Sequence, residues 1–141
     1  MNFMLRILIV EDNKTIQDVH KHILEKTIEG AQVDVAGNSR DAASLLELGR
    51  YDFHVLDGRF PGSDGIAMAG LISNIHDGEK GSIAIFTGDE KILEQARRMG
   101  YAVFSKEDLR ETLYEHIRIA LVGSQVNQMA QKSAQQPVIT S

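Results

Sequence analysis

The sequence contains no cysteine. Disulfide bridges, thiolate zinc sites and a cysteine nucleophile are therefore excluded, and the absence fits a reducing cytosol. No apolar run approaches the length of a membrane span. The stretch "RILIV" near the start is too short, and too charged at its edge, for a signal peptide. Positive charge is not in excess: 15 Lys and Arg against 20 Asp and Glu give a formal charge of −5. That balance argues against broad electrostatic binding to nucleic acid. No GxGxxG follows the first apolar run, and "HDGEKGS" lacks the P-loop pattern, so neither dinucleotide-binding nor P-loop chemistry is indicated. Five histidines (His20, His22, His54, His76, His116) show no metal-ligand spacing, and His76 and His116 are expected on solvated surfaces.

What is present is one domain's worth of chain. The 141 residues are 43% hydrophobic and 25% charged, an ordinary soluble composition with enough material to bury a core. A cytoplasmic protein is expected.

The hydrophobic pattern alternates between two periods. "MLRILIV", Met4 to Val10, is a nearly continuous apolar run of the kind buried on both faces of a parallel sheet, and it ends at Glu11 and Asp12. Asn13 can cap the next helix, whose face carries Ile16, Val19, Ile23 and Leu24, with Gln17, Asp18, Lys21 and Glu25 directed elsewhere. A weaker strand lies in "AQVDVAG". It precedes a helix capped at Asn38 or Ser39 that bears Ala42, Ala43, Leu45, Leu46 and Leu48. "YDFHVLD" is a third strand; Ser63 is the expected cap of a helix carrying Ile66, Ala69, Ile72 and Ile75. "GSIAIFTGD" is a fourth, followed by a helix marked by Ile92, Leu93, Ala96 and Met99. "YAVFSK" is a short fifth. Ser105 with Asp108 resembles a capping box for a last helix carrying Leu109, Leu113, Ile117, Ala120 and Leu121. Strict strand–helix alternation predicts an α/β protein with right-handed crossovers and a doubly wound parallel sheet. Ligands and chemistry in such sheets gather at the carboxyl ends of the strands, near the switch in strand order.

Those ends carry a specific set. The first strand delivers Glu11 and Asp12, the third Asp57, the fourth Thr87 and the fifth Lys106. Three converging carboxylates repel one another and call for protons or a cation. Oxygen ligands without His or Cys select a hard ion, Mg²⁺ or a relative. An ammonium and a hydroxyl opposite can hold phosphoryl oxygens. Asp57, at the centre, is the natural nucleophile, able to carry an aspartyl-phosphate.

The stretch Met4 to Val122 resembles the receiver domain of two-component response regulators. The matching motifs are the pair "ED" after the first strand, "LDGRFPGSDG" around Asp57, "FTGD" around Thr87 and "FSK" at Lys106. The resemblance implies a flavodoxin-like (βα)5 fold with five parallel strands in the order 2-1-3-4-5. It implies that Asp57 accepts a phosphoryl group from a histidine kinase or phosphotransfer protein, and that the chain catalyses nothing beyond its own phosphorylation and dephosphorylation. Asp12 and Asp57 would then bind Mg²⁺, Glu11 would act largely through water, and the backbone carbonyl of Arg59 would complete the site. Thr87 and Lys106 would bind the phosphoryl oxygens. A downstream protein partner, or a second copy, would use the face of the fourth helix, fifth strand and fifth helix, with no direct nucleic acid or membrane contact.

The sequence departs from the family pattern in places. The position three before Lys106, usually aromatic, is Val103. Phe104 should point to the other side of the strand, with Tyr101 sharing the face of Val103. Glu107 follows Lys106, where proline is usual, so a trans bond is expected, or a cis bond enforced by the fold. Arg59 and Asp89 should pair across the opening of the site and slow loss of the phosphoryl group, while Gly88 leaves room for a donor. Val103 and Glu107 keep open a phosphorylation-independent pseudo-receiver that works as a binding module. A Mg²⁺-dependent phosphatase is a third reading, weakened because Gly58–Arg59 supply no second acid. Residues 1–122 are read as the receiver unit. The Gln-, Ser- and Ala-rich 123–141 are read as a tail or linker stub, with a helical extension as the alternative.

Overall fold

The computed structural model describes residues 4–75 and 80–135. Strands β1 (Leu5–Val10), β2 (Ala31–Ala36), β3 (Phe53–Asp57), β4 (Ile83–Thr87) and β5 (Ala102–Ser105) alternate with helices α1 (Lys14–Thr27), α2 (Ser39–Leu48), α3 (Gly65–Ile75), α4 (Glu90–Arg98) and α5 (Arg110–Gln135). The strands form one sheet in the order β2-β1-β3-β4-β5, every neighbouring pair parallel. This is the flavodoxin-like order expected from the sequence. After β1 the chain builds β2 on one side and then crosses to β3 on the other, so the switch point lies between the carboxyl ends of β1 and β3.

The unbroken apolar strands follow from this position. All five residues of β3 and all five of β4 are buried, since helices cover both faces. Alternate residues feed two cores. Leu8, Val10, Leu56, Ile83 and Ile85 pack with α2, α3 and α4 residues such as Leu46, Ile72 and Ile92. Ile7, Ile9, Phe53, Val55, Ala84 and Phe86 pack with Leu24 of α1 and Leu113, Ile117 and Leu121 of α5.

Several local expectations are corrected. Gln17 faces inward, buried, and its amide donates to the carbonyl of Glu11. Leu48 is exposed because it lies two residues, about 200° around the helix, beyond buried Leu46. Ile75 and Met99 stand at the ends of their helices, and both are exposed. Ser63 does not cap α3; it belongs to a two-residue antiparallel pairing, Arg59–Phe60 with Ser63–Asp64, and Asp64 Oδ1 instead accepts the Ala67 N–H at 2.8 Å. Ser105 does not cap α5. Its hydroxyl accepts the Glu107 N–H at 3.2 Å, a local turn, and the helix starts at Arg110, leaving Leu109 before it and exposed. Asn13 and Asn38 cap α1 and α2. The last helix continues through Val122 and Gly123 to Gln135, so the expected boundary at 122/123 coincides with no break in secondary structure. Among the described residues no helix is long and apolar enough to cross a membrane.

Candidate functional site at the strand ends

The parallel register brings the strand ends into line. Val10 pairs with Leu56, Asp57 with Phe86, and Thr87 with Ser105. The next residues out are Glu11, Gly58, Gly88 and Lys106. The Lys106 N–H donates to the Thr87 carbonyl at 3.0 Å, so the end of β5 is tied to the end of β4.

Glu11, Asp57 and Thr87 are all buried, while Asp12 is exposed at the rim. Lys106 reaches inward and places Nζ 2.7 Å from Glu11 Oε1 and 3.2 Å from Asp57 Oδ1. The Gly58 N–H donates to Asp57 Oδ1 at 2.7 Å, and the Asn13 N–H to Glu11 Oε2 at 3.3 Å. One ammonium thus serves two buried carboxylates. Burial, helped by the adjacent Asp57 carboxylate, pushes the Glu11 carboxyl up to about 7 against the opposing pull of Lys106. Burial alone would lower the Lys106 ammonium, but Glu11 and Asp57 outweigh it and hold its pKa above the ordinary value. The excess negative charge is the electrostatic signature of a site that takes up a proton or a cation.

Among the described residues, Glu11, Asp12 and Asp57 form the one carboxylate or imidazole group whose ligand atoms gather within 4.8 Å. An all-oxygen, carboxylate-rich set fits Mg²⁺ in chemistry and charge.

The rim carries the expected ion pair. Arg59 Nε is 2.9 Å from Asp89 Oδ2, and this contact, with backbone N–H groups of α4, holds the Asp89 carboxyl below its usual range. Asp89 is also the N-cap of α4: its Oδ1 accepts the Lys91 and Ile92 N–H groups. A Cβ at Gly88 would meet open space. Val103 and Tyr101 pack on the α4 side of the sheet and Phe104 on the α5 side, as strand alternation requires. No peptide bond among the described residues is cis, which includes Lys106–Glu107.

Some features were not legible in the sequence. His20 is 1% exposed, its Nδ1 lies 2.8 Å from Tyr114 Oη, and its ring meets the edges of Phe86 and Tyr114. Its position beside Gln17, one turn from Leu24, was the available signal: these residues share the buried face of α1. His116 is half-buried between the rings of Phe53 and Phe104, not solvated; it follows Tyr114 and precedes Ile117 on the inner side of α5. His76 lies outside the described residues.

The sequence of residues 7–118 matches the model of the response regulator receiver domain. The chain belongs to that family. A receiver domain is a signalling domain rather than a conventional enzyme. Over 108 residues the chain is 32% identical to the cyclic di-GMP phosphodiesterase response regulator RpfG of Xanthomonas campestris, covering 75% of this chain and 29% of that protein. It is 37% identical over 73 residues to an uncharacterised 14.6 kDa protein of Leptolyngbya boryana, covering 52% of this chain and 54% of that one. The chain therefore spans well under two thirds of these curated relatives. Among solved structures, the signal receiver domain of a histidine kinase from Syntrophus aciditrophicus is 28% identical, with a TM-score of 0.72 over 96% of this chain and 97% of that one. The response regulator TrrA of Thermotoga maritima, solved with Mg²⁺ and BeF, is 26% identical, with a TM-score of 0.70 over 83% and 99%.

Proposed function

We propose that this receiver domain accepts a phosphoryl group on Asp57 from a histidine kinase or phosphotransfer protein and reports it through altered binding to a partner. One observation carries the reading: Lys106 Nζ lies within 3.2 Å of both Glu11 and Asp57, with Thr87 buried at the adjacent strand end. In the transfer, an Asp57 carboxylate oxygen forms the bond to phosphorus as the bond to the donor nitrogen breaks, and that nitrogen keeps the electron pair. Lys106 and the Thr87 hydroxyl hold phosphoryl oxygens. Lys106 is already poised between carboxylates and exchanges one of them for the new dianion.

Asp12 and Asp57 would hold Mg²⁺, with Glu11 acting through water and the Arg59 carbonyl completing the set. The ion, when bound, supplies charge neutralisation at the phosphoryl oxygens. The complex of TrrA with Mg²⁺ and BeF supports this assignment by family likeness. A cytoplasmic location belongs to the same proposal, as does a docking face built from α4, β5 and α5. The division into a receiver unit over 1–122 and a tail or linker over 123–141 is part of it too.

A second reading, a pseudo-receiver that binds partners without phosphorylation, is favoured by Val103, an aliphatic side chain packed on the α4 side of β5 at the position where the family usually carries an aromatic. Amide shifts on adding Mg²⁺ and beryllofluoride separate the two. Saturating shifts around Asp57, Thr87 and Lys106 that vanish in Asp57→Asn support the phosphoacceptor. A folded protein that gives no such shifts supports the pseudo-receiver.

A further inference from the structure

Gly58 has no side chain, and Thr87 fills the space that one would need. A Cβ on Gly58 would lie 2.4 Å from Thr87 Oγ1 and 2.8 Å from Thr87 Cβ. Rotating Thr87 about χ1 relieves the first contact but not the second, because Cβ is fixed to the strand backbone. β4 is buried along its whole length, so Thr87 cannot retreat without moving a central strand. On the other flank Gly65 closes over the same point. Its N–H donates to the Gly58 carbonyl at 2.9 Å, and a Cβ there would lie 2.4 Å from the Asp57 carbonyl oxygen. The Gly58 N–H is itself bonded to the Asp57 carboxylate. Gly58 is not among the glycines with positive φ, so the obstacle to alanine is lack of space, not backbone conformation.

We infer that Gly58 is a positioning residue for phosphoryl transfer: its missing side chain seats Thr87 against the backbone next to Asp57, within reach of a phosphoryl oxygen carried there. This rests on Asp57 as phosphoacceptor. The three atoms nearest to a methyl group at 58 all belong to the Thr87 side chain, so its effect passes first through Thr87.

The test is a double-mutant cycle on affinity for beryllofluoride with Mg²⁺, read by amide shifts in wild type, Gly58→Ala, Thr87→Ala and the double variant. Loss of one hydrogen bond to a charged oxygen weakens binding by about tenfold or more in Thr87→Ala. Gly58→Ala should weaken wild type by a similar factor and the Thr87→Ala background by no more than about twofold. An unchanged affinity in Gly58→Ala, or the full loss in both backgrounds, overturns the inference and leaves the Asp57 reading standing. Silence of the wild type overturns both. Should Gly58→Ala fail to fold, the seating is read in the wild type saturated with Mg²⁺ and beryllofluoride, by a nuclear Overhauser contact between the Gly58 α-protons and the Thr87 methyl group; its persistence in the bound state supports the inference and its loss on binding overturns it.

Discussion

Arg59 and Asp89 meet across the opening of the strand-end site, Nε to Oδ2 at 2.9 Å. They come from different loops, the turn after β3 and the start of α4, and Asp89 caps that helix with its other oxygen. The pair therefore ties the turn after β3 to α4, and on the proposed phosphoacceptor reading it would narrow the approach of water to Asp57. Arg59→Ala is expected to speed loss of the phosphoryl group by up to about fivefold, the rate equivalent of one exposed ion pair. Asp89→Asn, which keeps the cap, should match it, and high salt should erase the difference from wild type. Equal dephosphorylation rates at low salt would contradict the gate.

The shared ammonium predicts opposite stability effects for two substitutions. Lys106→Met leaves two buried carboxylates without a counter-charge and should cost about 2 kcal/mol, less than for a fully buried pair because Lys106 is partly exposed. Asp57→Asn removes the surplus charge and should raise the melting temperature of metal-free protein by a few degrees. Mg²⁺ should stabilise wild type in a concentration-dependent way and Asp57→Asn much less. Thermal unfolding with and without the ion measures all three.

His20 predicts a pH dependence. Burial, with Arg110 and Lys106 nearby, lowers its pKa from the usual 6.5 to about 4. Tyr114 faces it through a hydrogen bond and Phe86 through a ring edge. The folded state holds His20 neutral, so its contribution is complete above pH 6.5 and is lost as pH falls toward 4. Between about pH 7.5 and 5 the loss is about 2 kcal/mol. Glu11 acts with the opposite sign, since its raised pKa favours the folded state at low pH, but it is common to both proteins compared. The stability difference between wild type and His20→Gln, from urea unfolding at both pH values, should therefore shrink by that amount at the lower pH. A constant difference would show that His20 is not held neutral.

The fold was legible because its signals are long-range in composition and local in form. Five apolar runs separated by helical patterns admit one sheet architecture, and the polar residues that interrupt those runs fall together once the strands are parallel. Helix starts were less legible. Ser63 and Ser105 have the chemistry of caps, yet Ser63 pairs with Phe60 in a short antiparallel ribbon and Ser105 closes a local turn, because the chain must first clear the site loops. Gln17 and His20 were hidden for another reason. Periodicity assigns polar side chains to the outside, whereas these two are buried by giving their polar atoms partners, the Glu11 carbonyl and the Tyr114 hydroxyl. Gly58 and Gly65 read as turn residues, and only the packing of Thr87 and the Asp57 backbone against them reveals a spatial constraint.

The most direct measurement is the intact mass of the protein after incubation with Mg²⁺ and a small acyl-phosphate donor. One added phosphoryl group is predicted, located on Asp57 by peptide mapping, absent without Mg²⁺ and absent in Asp57→Asn. A folded wild-type protein that gains no mass, or gains it equally in Asp57→Asn, would contradict the assignment of Asp57 as the phosphoacceptor.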